Sequence, residues 1–183
     1  MSTLFVLGGA RSGKSRFAVA RHAADARVVF LATAQPGDPD MAARIAHHRA
    51  ERPRHWTTLE EPLDLVARLG ELSKGRASVV VDCLTVWVAN RQLHGDSDRA
   101  VLDDAARLAG LIQRAPYELT LVSNEVGEGV HPETAAGLRF RDVLGQVNQQ
   151  VAAACETVTL MVAGIPLVVK APSYARADTV QAP

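Results

Sequence analysis

Gly8-Gly9-Ala10-Arg11-Ser12-Gly13-Lys14-Ser15 satisfies the pattern G-x-x-x-x-G-K-[ST] of a phosphate-binding loop. Leu4-Phe5-Val6-Leu7 before it is a short apolar run suited to a buried parallel strand, and Ser15 to Ala24 after it has helical composition. In such a loop the glycines let several backbone N–H groups converge on one phosphate at the positive end of a helix dipole. Lys14 is then expected to reach the β- and γ-phosphates, and Ser15 to ligate Mg2+.

Outward from the loop, strands and helices alternate. Arg27 to Thr33 reads as a second strand, ending in the loop Ala34-Gln35-Pro36-Gly37-Asp38-Pro39. Asp40 can cap a helix running to about Glu51, which Arg52-Pro53 stops. Pro62 suits the first turn of the next helix, with Leu63, Val66, Leu69 and Leu72 as its apolar stripe. Ser78-Val79-Val80-Val81-Asp82 is an apolar strand ending in a carboxylate, the form that holds Mg2+ opposite a P-loop serine. Helices are expected over 84–94, 99–114 and 137–154, the second with Leu102, Ala105, Leu108, Ala109 and Ile112 inward. Tyr117 to Ser123 reads as a strand that delivers Asn124-Glu125-Val126-Gly127 to the ligand edge of the sheet. Val158 to Ala163 and Leu167 to Lys170 read as closing strands joined by Gly164-Ile165-Pro166. The expected architecture is α/β, a three-layer P-loop NTPase (RecA-like) fold with a mostly parallel central sheet. Residues 1–170 are expected to form one domain and 171–183 a flexible tail.

The 183 residues carry 20 Lys+Arg and 20 Asp+Glu, so charge balance suggests neither a nucleic-acid nor a membrane-surface partner. No apolar run approaches the roughly 20 residues of a membrane span, and the first strand leaves no room for a signal peptide, so the expected compartment is cytoplasmic. Cys83 and Cys155 read as reduced packing residues.

The segment from Asp40 to Trp56 carries the second chemical signal. At helical spacing Met41, Ile45 and His48 share one face, and His47 lies about 100° away with Ala43, Arg44 and Glu51. A neutral imidazole among guanidinium groups suits nucleophilic attack on phosphorus, because the arginines bind phosphate oxygens and disfavour imidazolium. Adjacent histidines do not converge on one metal from a helix. The residues alone leave His47 open between nucleophile and surface residue. They likewise leave open a plain P-loop small-molecule kinase, while no Asn-Lys-x-Asp segment supports a GTPase-like switch.

Gly8 to Arg16, Ala32-Thr33-Ala34, Met41 to Ile45, His47-His48-Arg49, Arg52-Pro53, His55 to Thr58 and Asn124 to Gly127 stand in one order and spacing. With Arg139 to Asp142 and Val147-Asn148-Gln149, the chain closely resembles the adenosylcobinamide kinase / adenosylcobinamide-phosphate guanylyltransferases over about residues 3–170. The resemblance implies phosphorylation of the aminopropanol hydroxyl of adenosylcobinamide by ATP or GTP. It then implies transfer of GMP from GTP through a guanylylated His47, giving adenosylcobinamide-GDP and pyrophosphate. Implied nucleotide contacts fall on Gly8 to Ser15, on Thr33, Ala34 and Gln35, on His48, Arg49, Ala50 and Glu51, and on Glu60 and Asp82. Ser15 and Asp82 are the implied Mg2+ residues, and a homotrimer is the implied assembly. Phe17 and Asp82 stand where some members carry His and Glu, and residues 84–116 match least well.

Overall fold

A computed structural model describes residues 1–23, 26–37, 45–46, 49–50, 52–72 and 78–172. Seven strands form one sheet: β1 (Thr3–Gly8), β2 (Val28–Ala32), β3 (Thr57–Glu60), β4 (Ser78–Asp82), β5 (Leu119–Val122), β6 (Thr157–Val162) and β7 (Ile165–Lys170), in the order β3-β2-β4-β5-β1-β6-β7. All neighbours pair in parallel except β6 and β7, which form an antiparallel hairpin. Strands β1, β4 and β5 read as near-continuous Val and Leu because helices cover both of their faces.

One face carries α1 (Lys14–Ala20), with Ala18, Phe30, Trp56, Val80, Val122 and Met161 packed together. The other carries the larger core, in which α2 (Leu65–Leu72), α3 (Leu84–His94), α4 (Asp98–Ile112) and α5 (Ala135–Ala154) bury Leu65, Trp87, Leu108 and Val147 against the sheet. The N-cap hydroxyls of Ser97 and Thr134 accept from Ala100 N–H and Gly137 N–H, which sets the starts of α4 and α5. This three-layer arrangement is the expected one. The carboxyl ends of the parallel strands bring the P-loop, Ala32-Thr33, Asp82 and Ser123-Asn124 to a single edge.

Several boundaries differ from expectation. Helix α1 ends at Ala20, and His22 turns back so that its ring meets Trp56 edge-on at 5.4 Å. Helix α2 starts at Leu65 rather than Pro62, because the Glu61 carboxylate accepts from the N–H groups of Leu63 and Asp64. Its buried positions are accordingly Leu65 and Leu69. Strand β3 is an addition: Thr57-Thr58-Leu59-Glu60 lacks an apolar run, yet pairs along the edge of β2. The closing hairpin turns on Ala163-Gly164, both at positive φ, so β7 begins at Ile165. The C-terminal tail from 173 and most of the expected helix at 40–51 lie outside the described residues, although Ile45, Ala46, Arg49 and Ala50 are helical.

Trp87 is fully buried, and its indole N–H donates to the Leu63 carbonyl at 2.8 Å, pinning α3 to the segment before α2. Trp87→Phe should lower the unfolding free energy by about 1–3 kcal/mol through the lost hydrogen bond and the space left behind. Leu93→Ala on the exposed face should stay within about 0.5 kcal/mol of wild type, both variants being read by urea denaturation.

Candidate functional site

The P-loop follows β1 through a backbone that only glycine permits. At Gly8 (φ 151°) an added Cβ would stand 2.6 Å from the Met161 carbonyl oxygen and 2.7 Å from Ser12 Oγ. Gly13 caps α1 in a left-handed conformation, with no side chain bonded to the first-turn N–H groups. Those donors are therefore left for an anion. The loop is anchored from outside: Gly164 N–H, in the β6–β7 turn, donates to the Ser12 carbonyl at 3.1 Å. Gly9, Ala10 and Arg11 are exposed along its rim.

Lys14 is buried, and its Nζ donates to the Gly9 carbonyl at 2.6 Å and to Ser12 Oγ at 3.5 Å. Burial lowers the Lys14 pKa, and the negative charge of nearby Asp82 works against that shift. The ammonium thus has only neutral oxygens as direct partners among the described residues. A phosphate would replace them with a charged acceptor.

Asp82 ends β4 and stands level with Ala32 of β2 and Val122 of β5. The adjoining turn is locked by Thr33, whose hydroxyl accepts from Cys83 N–H at 2.9 Å and donates to the Cys83 carbonyl at 2.7 Å. The Asn90 amide donates to the Thr33 carbonyl, and Thr33 N–H donates to the Asp82 carbonyl. Thr33 is fully buried and engaged at every polar group, so it holds the Asp82 turn in place. Ala34 and Gln35 beyond it are progressively more open, and Glu60 is exposed at the end of β3, level with Ala32. The Cys83 thiol, pushed up to about 11 chiefly by burial, stays protonated at neutral pH, as does Cys155 at about 12.

Ser15 and Asp82 border one cavity of about 360 Å³. Phe30, Val19 and Ala20 make its apolar wall, and Arg16 and Arg52 complete the lining. The Arg52 guanidinium lies 3.4 Å from the centre of the Phe30 ring, a cation–π stack. Ser15 and Asp82 thus offer hard oxygens on one cavity, a set that suits Mg2+ shared with phosphates. Among the described residues no group of three or more His, Cys, Asp or Glu could hold a metal unaided.

Arg49 and Ala50 are exposed and helical, while Arg44, His47, His48 and Glu51 lie outside the described residues. The sequence reading missed two contributors. Arg52 enters the sequence reading as part of a helix stop and of the family resemblance but with no role at the site, and its one local signal for such a role is a guanidinium directly after the His47 segment. Asn90 carries no local signal, since its partners Thr33 and Pro62 lie 57 and 28 residues away.

Residues 4–169 match the family described as cobinamide kinase / cobinamide phosphate guanyltransferase. The bifunctional adenosylcobalamin biosynthesis protein CobP of Pseudomonas aeruginosa is 46% identical over 168 residues, which cover 90% of this chain and 95% of that protein. The bifunctional adenosylcobalamin biosynthesis protein CobU of Escherichia coli is 40% identical over 179 residues, covering 91% of this chain and 99% of the relative. A solved prototypical ATPase from the type III secretion system of pathogenic bacteria superposes with a TM-score of 0.57 at 11% identity, over 88% of this chain and 51% of the ATPase. That likeness speaks to the P-loop ATPase fold alone. The family match and the two relatives speak to more: the chain belongs to the cobinamide kinase / cobinamide phosphate guanyltransferase family, enzymes of cobalamin biosynthesis that use nucleotide substrates.

Proposed function

We propose that the enzyme phosphorylates the aminopropanol hydroxyl of adenosylcobinamide with ATP or GTP, then transfers GMP from GTP to the resulting phosphate. The products are adenosylcobinamide-GDP and pyrophosphate. The observation that carries this reading is the single cavity bordered by Ser15, Asp82 and Arg52. It joins the phosphate end of the P-loop to the residue that closes the His47 segment.

In the first step Lys14 and the loop N–H groups neutralise the triphosphate, and the acceptor hydroxyl oxygen attacks the γ-phosphorus, giving up its proton to solvent as the nucleoside diphosphate leaves. Mg2+, which Ser15 and Asp82 would hold, supplies further neutralisation of phosphate charge. The second step must bring two anions together. An imidazole nitrogen of His47 attacks the α-phosphorus of GTP, an N–P bond forms, the bond to the β-phosphate oxygen breaks and pyrophosphate departs. Loss of the ring proton leaves a neutral guanylylated histidine. An oxygen of adenosylcobinamide phosphate then attacks the same phosphorus and releases the imidazole. Splitting the transfer lets pyrophosphate leave before the second anion arrives. Arg49 and Arg52 flank the His47 segment in sequence and can screen the charge. Ala34, Gln35, His48 to Glu51 and Glu60 are the residues proposed to meet the nucleoside, while Thr33, buried and fully bonded within the protein, holds the turn that presents them.

A homotrimer is proposed as the working assembly. Strand β7 supports self-association, because Ile165, Leu167, Val168 and Val169 are each more than half exposed on an unpaired sheet edge. No helix among the described residues is long and apolar enough to cross a membrane. We place the enzyme in the cytoplasm, where ATP and GTP are supplied.

With Mg2+ and GTP labelled separately at the α- and γ-phosphates, denatured enzyme should keep acid-labile, alkali-stable label from α and not from γ. His47→Ala should abolish it. Absence of α-label in wild type, alongside intact phosphorylation of adenosylcobinamide by ATP, would instead mark a plain kinase. For the assembly, Val168→Lys should lower the mass measured by light scattering toward that of one chain. An unchanged mass would remove β7 from the interface.

A further inference from the structure

Strand β5 lies between β4 and β1, so its carboxyl end opens between Asp82 and the P-loop. The parallel ladder continues past the strand. Ser123 N–H donates to the Val6 carbonyl at 3.0 Å, and Glu125 N–H to the Gly8 carbonyl at 3.1 Å. Alternation of faces therefore persists through Asn124. Val80 and Val122 pack into the core beneath α1. Two residues further along each strand, Asp82 and Asn124 fall on that same face, the one on which Lys14 and Ser15 open α1.

The backbone of Asn124 is clamped from two helices. Its N–H donates to Thr85 Oγ1 of α3 at 2.7 Å, and its carbonyl accepts from Asn148 Nδ2 of α5 at 3.0 Å. Both clamping side chains are buried, and Asn148 Oδ1 has no hydrogen-bond partner among the described residues. A buried, unpaired amide oxygen is costly, so the bond from Nδ2 to Asn124 is what offsets the burial of this carboxamide. The carboxamide of Asn124, half-buried, takes no hydrogen bond from the described residues. Two buried polar side chains thus fix the backbone of a residue whose own amide is unbonded among the described residues, on the sheet face and edge that also carry Asp82. That is the build of a preorganised donor.

We infer that Asn124 is a further catalytic residue, whose Nδ2 donates to the γ-phosphoryl group of the bound triphosphate. The inference rests on the P-loop reading above and not on the His47 step. A donor aimed at the γ-phosphate matters for a triphosphate and is idle with a diphosphate, which sets the test. Calorimetric titrations with Mg2+ would compare GDP with the β,γ-imido analogue of GTP on wild type, Asn124→Ala and Asn124→Asp. GDP affinity should stay within about 2-fold in Asn124→Ala, and that for the imido analogue should fall roughly 10-fold, as for a lost bond to a charged group. Asn124→Asp should fall further for the analogue by charge repulsion. The kinase kcat of Asn124→Ala should drop about 100-fold with the melting temperature unchanged. Equal losses for GDP and the analogue would mean a structural role and overturn the inference, as would wild-type binding and kcat in Asn124→Ala. Failure of wild type to bind either nucleotide would overturn the P-loop reading itself, and the inference with it.

Discussion

Burying the Lys14 ammonium is the constraint that the rest of the site answers to. A desolvated cation held only by the Gly9 carbonyl and Ser12 hydroxyl is unfavourable in isolation, which is why its pKa is lowered. The fold tolerates it because the loop is tied down elsewhere: by Gly164 on Ser12, by Glu125 on Gly8, and by the close approach of Met161 at Gly8. On the proposed function an anionic ligand would relieve that cost, and binding energy and phosphate selectivity would come from the same residue.

Placement of charge follows from sheet topology. With β5 inserted between the P-loop strand and β4, Asp82 is set one strand away from Lys14 rather than against it. It opposes the burial shift without pairing directly with the ammonium. The Thr33–Cys83 double hydrogen bond then fixes the turn after Asp82. Chemistry that moves phosphoryl and nucleotidyl groups from one loop needs such rigidity, since its catalysis is mainly positioning and electrostatics.

Much of this was legible in the sequence, for local reasons. The P-loop is a contiguous motif, Ser78 to Asp82 is a contiguous apolar strand, and Leu84 to His94 is closed by the left-handed Gly95. What the sequence hid depends on distant partners. Strand β3 is settled by the edge that β2 offers, since Thr57 to Glu60 has β-branched residues but no apolar run to mark it. The start of α2 is decided by one carboxylate, that of Glu61. The clamp on Asn124 joins residues 39 and 24 positions away. The stack of Arg52 on Phe30 likewise becomes visible only once β2 and the chain after the His47 segment lie together.

The central claim is that one P-loop serves two chemistries that part company at His47. The most direct measurement is the product split: ATP, GTP and adenosylcobinamide are supplied together, and products are resolved chromatographically for wild type, Lys14→Ala and His47→Ala. Wild type should proceed to adenosylcobinamide-GDP, His47→Ala should stop at adenosylcobinamide phosphate, and Lys14→Ala should make neither at an appreciable rate. Adenosylcobinamide-GDP from His47→Ala at the wild-type rate would contradict the account.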